Sequence, residues 1–168
     1  MSIFRTLVIV GAVAAMGACT NANRFGADGA AGAGAGAVVP GSANDPTSPA
    51  YFNQTIGDRV LFAVDQSTLS PEAQATLDGQ AQWLTQNGDY TAVIEGHADE
   101  QGTREYNLAL GARRANSARD YLISRGVAGN RLRTISYGKE RPIEICSTEA
   151  CYTKNRRAVT VLAGGLTS

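Results

Sequence analysis

A short stretch of the chain contains side chains that could bind a charged ligand. Residues 96–103 have the sequence Gly-His-Ala-Asp-Glu-Gln-Gly-Thr, in which Asp99 supplies a carboxylate. Asn107 and then Arg114 follow, and Arg114 supplies a guanidinium. An arginine holds a carboxylate through two parallel hydrogen bonds, which a lysine cannot do. These residue types therefore suit a zwitterion, with Asp99 accepting an ammonium group and Arg114 donating to a carboxylate.

Helical spacing separates Arg114 from its neighbour Arg113. At 100° per residue, Arg114, Asn107 and Leu110 lie on one flank of a helix that begins at Thr103, and Arg113 does not. The residues predicted to form the core face of this helix are Leu108, Ala112, Ala115, Ala118 and Leu122. Free backbone N–H groups at the helix start would add to the capture of a carboxylate. Spacing alone leaves open the alternative that Asp99 and Arg114 pair with each other.

The surrounding sequence predicts the elements that position these side chains. Apolar segments predict strands at residues 59–64, 91–98, 131–137 and 157–162. Ser70 and Pro71 are typical of a helix start, and Gly126 is typical of the end of the second long helix. The order β-α-β-α-β-β predicts an α/β (α+β) two-layer sandwich, a mixed sheet with two main helices on one face, with the strand order left open. The turn at Asp99 then lies between a strand end and a helix start, where such folds bind ligands.

The N-terminal part has the pattern of an exported lipoprotein. Residues 1–18 combine a charged start, an apolar run too short to span a membrane, and a small-residue end, which predicts a signal peptide. Residues 16–19 (Met-Gly-Ala-Cys) resemble the lipobox of bacterial lipoproteins, and this predicts lipidation of Cys19. Residues 19–50 are rich in Gly, Ala, Ser and Pro and predict a flexible linker, so the folded domain is predicted to be residues 51–168. The alternatives are an ordinary signal peptide with a stray cysteine, and a small-residue packing stripe at residues 29–37.

Composition and cysteine number exclude several classes of protein. The 15 basic and 15 acidic residues balance, so there is no electrostatic signature of nucleic-acid binding. Two of the three cysteines, Cys146 and Cys151, are predicted to form a disulfide in an oxidising compartment. His97 is the only histidine, which argues against a metal site and favours a packed or hydrogen-bonding residue beside the turn. No nucleophile accompanies the carboxylates near Asp99, so neither catalysis nor a cofactor is expected.

Five motifs together resemble the OmpA-like domain family. They are residues 96–103, 106–107 (Tyr-Asn), 113–115 (Arg-Arg-Ala), 136–142 (Ser-Tyr-Gly-Lys-Glu-Arg-Pro) and 154–159 (Lys-Asn-Arg-Arg-Ala-Val). The resemblance covers residues 55–165. It implies that Asp99 and Arg114 bind the diaminopimelate of the peptidoglycan stem peptide, whose free end is a zwitterion. Asn107, Thr103 and Leu110 are expected to be further peptidoglycan contacts.

The lipobox and linker make the chain similar to the lipoproteins of that family that act in the Tol–Pal system. This resemblance implies a lipid anchor in the cell outer membrane with the domain facing the periplasm. It also implies TolB and the Tol complex as partners, and a role in envelope integrity and constriction at cell division. The alternatives are an OmpA-like lipoprotein outside the Tol system and a cell-wall hydrolase. Two features depart from the family pattern. The family often has more than one acidic residue at positions equivalent to 61–65, where this chain has only Asp65, and Ala112 stands where a glutamate is common.

Overall fold

The computed structural model describes residues 38–164, and the predicted signal peptide and Cys19 lie outside them. Its helices are α1 (Pro49–Tyr51), α2 (Pro71–Gln86), α3 (Arg104–Ser124) and α4 (Glu149–Asn155). Its strands are β1 (Arg59–Leu61), β2 (Tyr90–His97), β3 (Leu132–Gly138) and β4 (Arg157–Gly164). A π-helical turn, Phe52–Gly57, follows α1, and a 3-10 turn, Gly129–Arg131, precedes β3.

The four strands form one mixed sheet in the order β1-β4-β2-β3. β2 and β3 are parallel and are connected by α3, as a parallel pair requires, whereas β4 is antiparallel to both β1 and β2. The predicted α+β fold and the order β-α-β-α-β-β are confirmed. The short helix α4, between β3 and β4, was predicted to be loop.

α2 and α3 cover the core. The apolar pattern of the sequence predicts the buried face of α2 better than that of α3. The apolar residues that recur at helical spacing in α2 are all buried: Ala73, Leu77, Ala81 and Leu84. The predicted face of α3 was partly wrong, because Leu108 is 46% exposed. The buried residues of α3 are Asn107, Leu110, Gly111, Arg114, Ala115, Ala118 and Leu122. Two polar side chains therefore lie on the buried face, and an apolar pattern cannot detect them.

α3 contacts the backbone of β2 at a pair of glycines. A Cβ on Gly96 would lie 1.8 Å from the carbonyl oxygen of Gly111. A Cβ on Gly111 would lie 2.5 Å from Oγ of Ser136 on β3. Only glycine at both positions permits this approach. The contact fixes the first half of α3 against the end of β2, where Asp99 follows.

The folded domain begins before the predicted boundary at residue 51. Ser48 is buried, caps α1 by accepting a hydrogen bond from the Tyr51 N–H at 3.0 Å, and donates to Ser42 O at 2.6 Å. The Trp83 indole N–H donates to Pro46 O at 2.6 Å. The end of the predicted linker therefore packs on α2. The contact with α2 is made by the backbone carbonyl of Pro46, so the small and polar side chains of the segment gave no sign of it.

We expect Trp83→Phe to lower the free energy of unfolding by about 2 kcal/mol, measured by urea denaturation. The substitution keeps an aromatic ring against Phe52 and Tyr90 but removes the donor to Pro46. Tyr90→Phe is the matched control, because its exposed hydroxyl is 3.4 Å from Thr47 O and should contribute less than about 0.5 kcal/mol. Equal losses in the two variants would show that the contact with Pro46 does not stabilise the domain.

Candidate functional site

A cavity of about 250 Å³ lies where β2 ends and α3 begins. Its lining residues are Val64, Asp65, Asp99, Gln101, Gly102, Tyr106, Asn107, Leu110 and Arg114. Four of the five residues predicted to bind the ligand are therefore brought together. Thr103 is not among the lining residues, because its hydroxyl caps α3 by accepting the Tyr106 N–H at 3.2 Å.

The turn that presents Asp99 is held by local hydrogen bonds. Oδ1 of Asp99 accepts the Gln101 N–H at 3.2 Å, which closes a turn of the kind that aspartate favours. Gly102 has φ +91°, a left-handed conformation that glycine adopts without steric cost. Nζ of Lys139 donates to Gly102 O at 2.7 Å, and Nδ2 of Asn107 donates to Gln101 O at 2.7 Å. The turn is thus fastened to α3 and to the residue after β3.

Arg114 is a fully buried cation that is held by backbone carbonyls. Its Nε donates to Gln66 O at 2.8 Å, its Nη1 to His97 O at 2.8 Å and its Nη2 to Ala63 O at 3.2 Å. Burial lowers the pKa of Arg114 to about 10, with Asp99 acting in the opposite direction. The guanidinium therefore stays charged at neutral pH. Within the described residues it makes no ion pair with a carboxylate within 4 Å.

Asp99 pairs with Arg156 and not with Arg114. Its Oδ2 accepts from Nη1 of Arg156 at 3.1 Å, and both side chains are buried. The alternative left open by the sequence, an ion pair between Asp99 and Arg114, is therefore wrong. Each has its own protein partners, and both border the same cavity.

Polar side chains at or beside the cavity that were not predicted to bind include those of Arg156, Asp65 and Tyr106. Asp65 has φ +57°, the only positive φ of a non-glycine residue in the described part of the chain, and it accepts the Tyr106 hydroxyl. Strained residues of this kind concentrate at functional sites. Arg156 lies in the family motif at residues 154–159. That motif was the signal in the sequence that could have pointed to a role for Arg156. The sequence alone could not show which carboxylate Arg156 would meet.

Residues 38–164 contain neither a metal site nor a membrane-spanning helix. No group of three or more His, Cys, Asp or Glu side chains there is placed to hold a metal ion. No helix in that range is both long and apolar enough to cross a membrane. A larger cavity of about 440 Å³ lies between β1 and the start of α2, and none of the predicted site residues lines it.

His97 is buried beside the site with its ring against Tyr137, at 5.5 Å between ring centroids. Neither of its ring nitrogens has a hydrogen-bond partner within the described residues. Burial, together with the charges of Arg157 and Arg141, lowers the pKa of His97 to about 4. Oε2 of Glu95 lies 3.6 Å from Nε2. Of the two roles predicted for His97, packing and hydrogen bonding, the structure therefore shows packing.

The low pKa of His97 predicts a loss of stability in mild acid. The unfolded state binds a proton near pH 6.5 and the folded state only near pH 4, so stability falls as the pH drops through this window. The loss amounts to about 2 to 3 kcal/mol of unfolding free energy at pH 4. His97→Phe preserves the stacking and should remove this part of the pH dependence in urea titrations. An unchanged slope in that variant would contradict the assignment to His97.

Comparison with known proteins defines the class to which this fold and cavity belong. The model of the OmpA family matches residues 61–156, which is more than half of the chain. The C-terminal domain of Helicobacter pylori MotB has the same fold, with a TM-score of 0.60 at 21% identity over 64% of this chain and 85% of that one. The chain therefore belongs to the OmpA family.

More similar relatives define the branch of that family. A peptidoglycan-associated lipoprotein of Rhizobium meliloti is 59% identical over 79% of this chain and 72% of its own length. One from Brucella melitensis is 49% identical over 98% of this chain and 90% of its own length. The crystal structure of the peptidoglycan-associated lipoprotein from Burkholderia pseudomallei has a TM-score of 0.64 and 37% identity, covering 72% of this chain and 98% of that one. The relatives bear the name of a lipoprotein and not of an enzyme.

Proposed function

We propose that this protein is an outer-membrane lipoprotein that binds peptidoglycan without a covalent bond, through the diaminopimelate of the stem peptide. The observation that supports this most directly is the buried, charged Arg114, which borders the cavity near Asp99 and has no carboxylate partner among residues 38–164. A buried charge is stable only when it is compensated, and the backbone carbonyls compensate it in part. A ligand carboxylate would complete the compensation.

The donors and acceptors match the free end of diaminopimelate. A guanidinium has five N–H donors, and three of the Arg114 donors are used by backbone carbonyls. The remaining donors are available to a carboxylate. Each oxygen of Asp99 accepts one hydrogen bond from the protein and can accept a second, from an ammonium group. Asp65, at the same cavity, offers a second carboxylate to that ammonium group.

The lipid anchor completes the proposed role. Acyl chains on Cys19 would hold the protein in the outer membrane, because each buried methylene contributes about 0.8 kcal/mol. The domain would then face the periplasm and link the outer membrane to the cell wall. As a member of the Tol–Pal system it would also bind TolB and support constriction at division. A TolB pull-down separates this role from that of an OmpA-like lipoprotein outside the Tol system.

Sedimentation with isolated sacculi tests the central claim. The full-length chain, purified in detergent, should pellet with sacculi that contain diaminopimelate. The stem tripeptide L-alanyl-D-glutamyl-meso-diaminopimelate should compete, and the same tripeptide with L-lysine should not, because lysine lacks the second carboxylate. Equal competition by both peptides would rule out recognition through the diaminopimelate zwitterion.

A further inference from the structure

The segment closed by the disulfide contacts the turn that contains Asp99. The predicted disulfide between Cys146 and Cys151 is present, with 6.0 Å between the two Cα atoms. Oε1 of Glu100 accepts the Ser147 hydroxyl and the Tyr152 hydroxyl, each at 2.9 Å. Ser147 lies inside the disulfide loop and Tyr152 directly after it. Glu100, the residue next to Asp99, is thus bound by one residue near the start of the disulfide loop and by another directly after its end.

The same segment also holds the partner of Asp99. Glu149, the first residue of α4, forms an ion pair with Nη2 of Arg156, and the Thr153 hydroxyl accepts from the same nitrogen at 2.9 Å. Nε of Arg156 donates to Phe62 O at 3.2 Å. The Arg156 side chain is only 5% exposed and does not line the cavity. It therefore acts on a ligand only through Asp99.

The disulfide supports a helix that is too short to be stable by itself. α4 has seven residues, and an isolated helix of that length is unstable in water. Cys151 anchors its middle, and Asn155 anchors its end, where Oδ1 accepts the Ile143 N–H at 2.9 Å. Without the covalent link, one exposed hydrogen bond holds Ser147 and one part-buried ion pair with Arg156 holds Glu149. A single bond of either kind contributes little to the order of so short a helix.

We propose that Arg156 is a positioning residue for Asp99, and that the Cys146–Cys151 disulfide sets the affinity for the diaminopimelate end by holding Arg156 and Glu100 in place. This inference rests on the proposed function and assigns the disulfide segment to the wall-binding site. A carboxylate that is held from one side by Arg156 and from the other by the Gln101 N–H has a single orientation toward the cavity. Loss of that orientation weakens binding even though every cavity-lining residue is retained.

Titration calorimetry of the full-length chain in detergent, with the diaminopimelate tripeptide, tests the proposal. We expect Cys146→Ser/Cys151→Ser and Glu149→Gln each to weaken binding by about 10-fold. Lys154→Ala is the matched control, because Lys154 lies on α4 but pairs with Glu144, away from the turn, and its loss should change affinity less than about 2-fold. Glu149→Gln keeps the disulfide, so it decides the matter even where the cysteine variant does not fold.

A second readout separates positioning from general destabilisation. The Gln101 amide bonds to Asp99, so its hydrogen exchange should accelerate in Arg156→Gln and recover in part in Arg156→Lys, with peptide affinity following the same order. Unchanged affinity in both Glu149→Gln and the double cysteine variant, with binding lost in Asp99→Asn, would overturn the positioning role and leave the proposed function intact. Failure of the unmodified protein to bind the tripeptide would instead overturn the proposed function, and with it this inference.

Discussion

Asp99→Asn should weaken binding of the full-length chain to sacculi on the order of 100-fold. The substitution preserves the shape of the side chain and removes the charge that would hold the ammonium group of diaminopimelate. Arg114→Lys should have an effect of similar size, because a lysine ammonium is a point charge that cannot serve three carbonyls and a ligand carboxylate at once. The measurement is the fraction that pellets with sacculi across a concentration series.

The neighbouring arginine provides the control for this prediction. Arg113 is exposed, lies over the Tyr106 ring at 5.9 Å and does not line the cavity, so Arg113→Gln should pellet like the unmodified protein. Thermal unfolding of each variant separates loss of binding from loss of folding. This control matters most for Arg114, because its hydrogen bonds to backbone carbonyls also connect the segment after β1 to β2. Wild-type binding by both Asp99→Asn and Arg114→Lys would refute the site.

Gly96→Ala should destabilise the domain by about 3 kcal/mol or more, enough to remove much of the stability of a domain of this size. The added methyl group would lie 1.8 Å from the Gly111 carbonyl oxygen, and no rotamer change can relieve a contact with backbone. α3 would have to move away from β2, and Arg114 would move with it. Urea denaturation measures the loss, and binding to sacculi should fall together with stability.

Gly88→Ala is the matched control for the glycine contact. A Cβ on Gly88 meets nothing within 4 Å, and its φ is not positive, so the substitution should change unfolding free energy by less than about 1 kcal/mol. If the Gly96→Ala and Gly88→Ala proteins are equally stable, α3 and β2 can separate without cost. That result would contradict the prediction made from their close contact.

The site residues could be predicted to different extents for identifiable reasons. Asp99, Asn107, Leu110 and Arg114 lie near one another along the chain, on one turn and one helix flank, so local geometry was enough to group them. Arg156 directly precedes β4, and Asp65 lies after β1. Arg156 meets Asp99, and Asp65 borders the cavity, only because β4 lies between β1 and β2. No local pattern encodes that strand order. The partner of Asp99 was therefore missed.

The buried face of α3 shows the same limit. The apolar pattern centred the face on Leu108, yet the structure buries Asn107 and Arg114 and exposes Leu108. Burial of an arginine is favourable only where acceptors from other elements meet it, and here they are Ala63, Gln66 and His97. Hydrophobicity scales assign such a residue to the surface because they contain no information about distant acceptors.

The sequence by itself determined the four strands and two long helices, their order, the caps at Ser70 and Thr103, the disulfide and the turn that presents Asp99. Each depends on residues a few positions apart, whose geometry the backbone dictates. Only the tertiary structure decided that Asp99 pairs with Arg156, that Arg114 is held by carbonyls and keeps donors for a ligand, and that two glycines set the contact of α3 with β2. These contacts join segments far apart in the chain, so they form and stabilise the fold only after the sheet has assembled.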